Sequence, residues 1–596
     1  MKVIKDVHQQ FANYFPADNL QPYIYILSKK LSDGHICVEV NKIDHNELLE
    51  AGFTKISPPD MLLKEELVSK GDKKAPFILH NNRLYLQRYF KYEDTVLNSI
   101  NKFVAEDTIQ AQNNFENLNL HTKLIKEICS DASQNKSKGT NWQMVAVITA
   151  LLNKFTIITG GPGTGKTSTV AKILSILLTQ NPTLKVALTA PTGKAAARMK
   201  ESLENASNLS PEIKTIFNQL QPSTIHRLLG VIKDSPHFKF NAKNPLQFDL
   251  IIVDESSMID VALFAKLFTA IGPETKLILL GDKDQLASVE AGSLFGDLCQ
   301  AQPALNKVST QTSKIINSFI EVGEQKIGTN NINDHSTHPL FQHIIELQQS
   351  HRFSDDKGIG KFSKAIINNR VTDIQHFFEN KDEQVIIDTE YSEKIFQNFV
   401  SGYQHFINEP NILAALKKIN NLRILCAVRE GEQGLYAYNK KIENNLAQQK
   451  LITITGDFYN NRPIMVTSNN IELQLFNGDI GLVRPDENKV LKVWFQTGEE
   501  EVRSVLPGYI STAETVFAMT IHKSQGSEFN KVLVILPKGE EIKILTRELL
   551  YTAVTRAKEN LIIQGSESLI VQTANAFVER GSGIIERFKE ALPQNK

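Results

Sequence analysis

Residues 160–167 read GGPGTGKT and follow the apolar run at 155–159, the order of a buried strand, a glycine-rich turn and the start of a helix. This order suits a nucleoside triphosphate. Gly160, Gly163 and Gly165 let the backbone turn its N–H groups inward, with Gly161, Pro162 and Thr164 completing the loop. Lys166 then reaches the β- and γ-phosphates, the Thr167 hydroxyl is placed to ligate Mg²⁺, and Ser168 begins a helical run to Leu178 whose dipole favours the anion. A phosphate loop alone specifies a nucleotide but no reaction. Residues 250–257, LIIVDESS, add a strand that ends in carboxylates. There Asp254 would hold Mg²⁺, directly or through water, and Glu255 would orient and deprotonate the attacking water. The plain alternative is an acidic N-cap pair ahead of Met258. Residues 277–286, LILLGDKDQL, give a third strand and turn, where Gln285 is either a γ-phosphate sensor or a turn residue. Charge developing on a γ-phosphate needs cation donors. Arg352 in ELQQSHRF and Arg556 in LLYTAVTRAKEN are the candidates, set against the ordinary reading of an arginine as a solvated surface group.

The elements holding these residues follow from hydrophobic patterning. Apolar β-rich runs at 155–159, 185–189, 250–253 and 276–280 alternate with helical patterns, which predicts an α/β fold with a parallel sheet covered on both faces. The first such domain is expected over residues 111–345, with a small hairpin inserted at about 231–247. A second is expected over residues 346–596, with strands at 423–428 and 531–536. Within it, residues 450–510 read as purely β, and Asn477-Gly478 in LQLFNGDIGLV signals a type I′ hairpin, so a small inserted barrel is predicted. Residues 1–110 carry no nucleotide motif, and amphipathic stretches such as 93–104 predict a helical-rich accessory domain suited to docking. Residues 303–340, rich in Ser, Thr, Asn and Gln, read as a mobile insertion.

Composition narrows the class. Sixty-six basic residues balance sixty-six acidic ones, so any nucleic-acid contact must be local, in a channel. Cys37, Cys129, Cys299 and Cys426 lie far apart with no C-x-x-C pair, which argues against a disulfide framework or zinc site and suits a reducing cytosol. The start, MKVIKDVHQQF, lacks an uninterrupted apolar segment, and no run approaches the length of a bilayer span, so a cytoplasmic protein is expected.

With FAMTIHKSQGSEF at 517–529, the motifs form an ordered series. NWQMVAV, GGPGTGKT, ALTAPTGKAAARM, STIHRLLG, DESSMID, GDKDQLASVEAG, QQSHRF, TIHKSQGSEF and YTAVTRA, spread over residues 141–560, resemble the blocks of superfamily 1 helicases of the branch that moves 5′→3′. GDKDQLASVEAGSLFGDLC, LQQSHRFSDDKGIG, LCAVREGEQG and NRPIMVTSNNIELQLFNGDIG make it most similar to the motor subunits of RecBCD-type helicase–nucleases. The resemblance implies two RecA-like P-loop NTPase domains with an SH3-like barrel inserted in the second. It implies ATP and Mg²⁺ as cofactors, single-stranded DNA from duplex ends as substrate, and RecB-like and RecC-like subunits as partners in a heterotrimer, with the nuclease site on a partner. It makes Gln143 the adenine reader and assigns Gln285, Arg352 and Arg556 to the γ-phosphate. It also places Gly526 and Ser524 near the nucleotide or between it and the strand.

DNA contacts are then expected from strand-end loops of both domains: Pro191, Thr192, Gly193 and Lys194, Thr224 and His226, and, on the second domain, His522 and Lys523. Each of these could instead be a capping or core residue. Asn461 stands where this family usually has Gly, and residues 300–345 match no familiar pattern. A free-standing helicase and a DNA-binding subunit with a vestigial ATPase are the alternatives; intact Lys166, Asp254, Glu255, Arg352 and Arg556 weigh against the second.

Overall fold

The computed structural model describes residues 6–129, 139–205, 210–354, 356–470, 472–498, 500–539, 543–578 and 580–590. The N-terminal unit is mixed α/β rather than helical-rich. Strands β1 (Cys37–Glu39), β2 (Val68–Ser69), β3 (Phe77–His80) and β4 (Arg83–Leu86) form a sheet in the order β1-β4-β3-β2, covered by the helix Gln21–Ser32. The turn between β3 and β4 is Asn81-Asn82, both at positive φ (47° and 59°), a conformation asparagine tolerates and two-residue hairpins require. Such short strands leave little periodic signal, so the sequence showed only the helices.

The expected boundary at residue 110 falls inside one helix, Gln87–Leu120. Its Val96, Leu97, Ile100 and Phe103 pack into the next domain, Phe103 stacking on Phe155 at 5.8 Å, so residues 87–110 belong to the first motor domain. That domain is built on β5 (Phe155–Gly160), β6 (Val186–Ala190), β7 (Ser223–Thr224), β8 (Leu250–Val253), β9 (Lys276–Gly281) and β10 (Ile344–Leu347). The order is β10-β5-β9-β8-β6-β7 and every pairing is parallel. Successive residues face opposite layers: Ile158, Ile252 and Ile278 join one helical layer, and Ile157, Ile251 and Leu277 join the other. The expected end at 345 would cut β10, whose pairing to β5 carries the domain to Leu347.

Two other expectations fail here. The excursion at 231–247 holds only the isolated bridges Val231–Phe238 and Asn241–Asn244, not a paired hairpin. Residues 303–340 are folded onto the domain rather than looped out of it. Val308, Ile316, Phe319 and Ile327 enter its core, and the polar residues serve as fasteners, Ser309 capping the helix Thr310–Asn317 and Asn317 Oδ1 accepting the Ile327 N–H at 2.8 Å.

The second motor sheet contains β11 (Val385–Asp388) and β12 (Leu422–Cys426). The inserted strands β13 (Pro463–Val466), β14 (Ile480–Pro485), β15 (Leu491–Gln496), β16 (Val502–Val505) and β17 (Ala513–Thr515) come next, and β18 (Ala518–Thr520), β19 (Phe529–Ile535) and β20 (Ala557–Gln564) complete it. Its order is β11-β20-β19-β12-β18, all parallel, while the insertion is a separate antiparallel sheet, β16-β15-β14-β13-β17. The Asn477-Gly478 turn is not type I′. Gly478 alone takes positive φ (99°), in a turn closed by Asp479 N–H to Phe476 O at 3.0 Å within the longer loop joining β13 to β14. The chain then returns to its beginning. Ile584 and Phe588 of the helix Ile584–Glu590 enter the first motor core, so the expected second domain at 346–596 ends before residue 580. No helix among the described residues is long and apolar enough to cross a membrane.

Candidate active site

The site forms at the carboxyl ends of β5, β8 and β9, where the first motor sheet meets the second domain. The phosphate loop leaves β5 and enters the helix Lys166–Gln180. Gly163 (φ 78°) and Gly165 (φ 87°) supply its left-handed turns and also the space for close neighbours. A Cβ on Gly165 would come within 2.2 Å of Gln143 Nε2, and one on Gly163 within 2.5 Å of Arg352 Cβ. Gln143 donates to Thr164 O at 3.0 Å, Lys166 Nζ donates to Gly160 O at 2.6 Å and Gly161 O at 3.2 Å, Thr167 is half-buried, and Ser168 is exposed. Residues 348–352 lie over the loop, with Ser350 Oγ donating to Pro162 O and the His351 N–H to Gly163 O. A cavity lined by Trp142, Gln143, Thr164, Leu347 and His351 opens beside it.

The carboxylates stand opposite Lys166. Asp254 terminates β8, its N–H bonded to Thr189 O at 2.8 Å, and burial with the neighbouring Glu255 charge pushes its carboxyl up to about 6. Glu255 sits at φ 52° and donates its N–H to Asp254 Oδ1 at 2.8 Å. A left-handed conformation at a non-glycine residue costs about 1–2 kcal/mol, and strain of this kind concentrates at working sites. Asp282 terminates β9 and is 1 % exposed; burial, then Asp284, pushes it up to about 6 as well. Gln285 turns back to donate to Asp282 Oδ2 at 2.8 Å, and Tyr551 Oη donates to the same oxygen at 3.2 Å.

The second domain closes this edge. Arg556, 2 % exposed, donates to Thr552 O at 3.1 Å and Ser527 O at 3.0 Å; burial depresses its pKa, and the Glu255 and Glu528 charges oppose that. The Leu286 backbone is clamped across the seam: its N–H donates to Thr552 Oγ1 at 3.0 Å and its carbonyl accepts from Gln525 Nε2 at 2.8 Å. Arg352 NH2 donates to Glu528 Oε1 at 2.6 Å, while its NH1 is buried without a hydrogen-bond partner among the described residues. Gly526 (φ 69°) faces the helix Gly193–Glu204, where its carbonyl accepts from Arg198, and the Ser524 hydroxyl is buried on Ile521 O. Asp282, Tyr551, Arg198 and Glu528 were not singled out in the sequence. Asp282 was accessible by the strand-end logic that found Asp254; the other three depend on long-range contacts.

The loops expected to meet DNA converge near the insertion. Thr192 and Thr224 are helix N-caps, accepting from Ala195 N–H at 3.2 Å and Arg227 N–H at 3.3 Å, so their hydroxyls do capping work. Phe476, at the tip of the β13–β14 loop, packs on Gly193 beside Pro191, and the Arg227 guanidinium lies 5.9 Å above its ring. Lys194 is pushed down to about 7 by burial, then by Arg423 and Arg198. His226 is exposed, its ring edge-on to Phe238 at 5.8 Å, and His522 is half-buried; burial lowers the pKa of both imidazoles. Lys523 Nζ reaches Asn477 Oδ1 at 2.9 Å, so the insertion tip links loops of the two motor domains. Arg227 and Phe476, not singled out in the sequence, lie among these loops.

The residues fit a nucleoside triphosphate with a divalent cation. Each loop glycine lies where a side chain would collide, and the buried NH1 of Arg352, whose Cβ abuts Gly163, lacks an acceptor among the described residues. No group of three or more His, Cys, Asp or Glu suited to a metal occurs among the described residues. Thr167 and Asp254 would instead supply one hydroxyl and one carboxylate, the sparse protein share typical of Mg²⁺.

Comparison with known proteins supports the nucleotide. Residues 2–85 match the family model described as the RecBCD enzyme subunit RecD, N-terminal domain; residues 143–291 match an AAA domain, and residues 515–564 the UvrD-like helicase C-terminal domain. The RecBCD enzyme subunit RecD of Haemophilus influenzae is 35 % identical, covering 86 % of this chain and 81 % of that protein. The same-named subunit of Mycobacterium tuberculosis is 32 % identical over 95 % and 90 % of the two chains. The ATP-dependent RecD2 DNA helicase of Deinococcus radiodurans is 26 % identical, covering 76 % of this chain and 53 % of that one. The chain therefore belongs to the family of the RecBCD enzyme subunit RecD and is an ATP-hydrolysing DNA helicase of superfamily 1.

Proposed function

We propose that this chain is a 5′→3′ translocase on single-stranded DNA and the motor of a heterotrimer with RecB-like and RecC-like subunits, working in the cytoplasm on duplex ends. The observation that carries the motor reading is the seam. Arg556 of the second domain reaches the edge that holds Lys166, Asp254 and Glu255, and Arg352, over the phosphate loop, reaches across to Glu528 of that domain, so the hydrolytic set is complete only when both domains are apposed. In this reading Lys166 and the loop amides bind the β- and γ-phosphates, and Gln143 with the cavity beside it holds the adenine. Thr167 and Asp254 hold Mg²⁺, which neutralises phosphate charge. Glu255 takes the proton of the attacking water, Arg352 and Arg556 stabilise the transferred group, and Gln285 acts by fixing Asp282. The strand of DNA crosses Pro191–Lys194 backbone, His226, His522 and Lys523 beneath an SH3-like insertion. Contacts there go to phosphates and base faces, which a motor needs to be independent of sequence.

The test is ATP hydrolysis by the full chain, alone and with its partners, with and without single-stranded DNA. Stimulation by DNA that disappears in Lys166→Gln supports the motor; hydrolysis indifferent to DNA, or surviving that substitution, refutes it. Unwinding of 5′-tailed and not 3′-tailed duplexes supports the polarity, and the reverse refutes it. A free-standing helicase is the second reading, favoured by the likeness to a protein named simply as a helicase. Full unwinding activity without partners would select it.

A further inference from the structure

The cation that completes the site is already engaged by a carboxylate. Glu528, at the start of β19 and 10 % exposed, accepts from Arg352 NH2 at 2.6 Å through Oε1, and the same oxygen is paired with Arg198 NH2 from the helix Gly193–Glu204. Its other oxygen lies 3.3 Å from Lys558 Nζ. One second-domain carboxylate therefore ties a first-domain arginine to the arginine that crosses the phosphate loop. Burial alone would raise the Glu528 carboxyl, but Arg198 and Arg352 outweigh it and hold it well below the usual carboxylate range, so it stays an anion. Arg352 is only half-satisfied by this contact, because its NH1 is buried with no acceptor among the described residues while its Cβ abuts Gly163. A guanidinium with one nitrogen on a carboxylate and one buried without a hydrogen-bond partner among the described residues can take a second anion.

We infer that Glu528 is an internal counter-ion that Arg352 exchanges for the γ-phosphate, making it a positioning residue that sets the hold on triphosphate and resets the seam after hydrolysis. A diphosphate lacks the group that would draw Arg352 away, so Glu528 opposes ATP and leaves ADP largely alone. When the γ-phosphate departs, Glu528 recaptures Arg352 and restores the link to Arg198. The inference rests on the assignment of Arg352 to the γ-phosphate.

Equilibrium binding of fluorescent ADP and of a fluorescent non-hydrolysable ATP analogue to the full chain, with Mg²⁺ and no DNA, tests it. Glu528→Gln is expected to tighten the triphosphate analogue by about three- to tenfold, the range of a partly buried ion pair, and ADP by less than about twofold. Arg198→Ala leaves Arg352 as the only guanidinium on Glu528, and the analogue should bind more weakly. Equal changes for both nucleotides, no change, or shifts of the same sign in the two variants would overturn the proposal. Arg352→Ala separates the two levels. If it leaves hydrolysis intact, the assignment of Arg352 falls and the exchange with it. If it abolishes hydrolysis while Glu528→Gln leaves analogue binding unaltered, only the exchange falls. Should Glu528→Gln unfold, the sign of the Arg198→Ala shift alone decides.

Discussion

The first motor sheet buries charged groups at both of its ends, and they are spent differently. At the amino ends of its strands, Lys276 Nζ donates to the carbonyls of Ala150 at 2.6 Å, Leu151 at 3.1 Å and Asn153, closing the C-terminus of the helix Trp142–Leu152. The Lys154 N–H donates to Asp107 Oδ1 at 2.6 Å, its Nζ to Glu106 and Glu274, and His343 Nδ1 sits 2.8 Å from Phe155 O. These partners belong to one rigid domain. At the carboxyl ends the cations hold loop carbonyls or a carboxylate of the other domain, and Asp254 and Asp282 are pushed up to about 6. Contacts kept within one body make a staple; contacts divided between two bodies make a switch.

The largest effect should separate the two ends most sharply. Lys166→Gln is expected to lower DNA-stimulated hydrolysis by about 1,000-fold or more while the denaturant midpoint stays in place. A variant that lost stability as well would erase the distinction. Conversely, Lys276→Met should cost about 2–4 kcal/mol of stability in urea unfolding, because three helix-end carbonyls lose their donor, with kcat kept within about twofold. A smaller effect comes from Asp282. Its raised pKa means the folded protein binds this proton more tightly than the unfolded chain does. Ionisation therefore subtracts stability as pH rises from about 4 to about 6, and Asp282→Asn should gain on the order of 1–2 kcal/mol at pH 8 and nothing at pH 3.5. Unfolding measured at the two pH values checks the sign. The smallest expected change is Phe476→Ala, which removes the face beneath Arg227 and should weaken single-stranded DNA binding by about two- to fivefold without altering melting. A melting change there would make the insertion tip part of the staple.

Much of the working edge was legible in the sequence because a parallel strand buried on both faces is a continuous apolar run whose first polar residue is aimed at the site. β8 and β9 announced Asp254 and the GDKDQL turn in this way, while β5 was marked by the glycine-rich loop that leaves it. β7, at two residues, and β2, also two, leave no such pattern. The partner of Arg352 was out of reach for a different reason: Glu528 lies 176 positions away, and only the closure of two sheets brings them together. Asn477-Gly478 misled in detail, since the dipeptide fixed a turn without fixing which of its residues takes positive φ.

The return of the chain to its own beginning has a consequence for synthesis. Glu93, wholly buried, accepts from the Gly583 N–H at 2.9 Å, 490 positions later, with Ser582 and Arg587 also on its carboxylate. Gly581 bonds His35 and Ile36, and Arg580 straps the loop that follows Leu286 through Ser288 O. A ribosome moving at about 5–20 residues per second delivers those partners roughly half a minute to a minute and a half after Glu93 emerges. For that interval Glu93 of the first motor domain lacks the Ser582, Gly583 and Arg587 partners that it has in the folded chain, and this part of the domain closes only after the 580–590 segment is made.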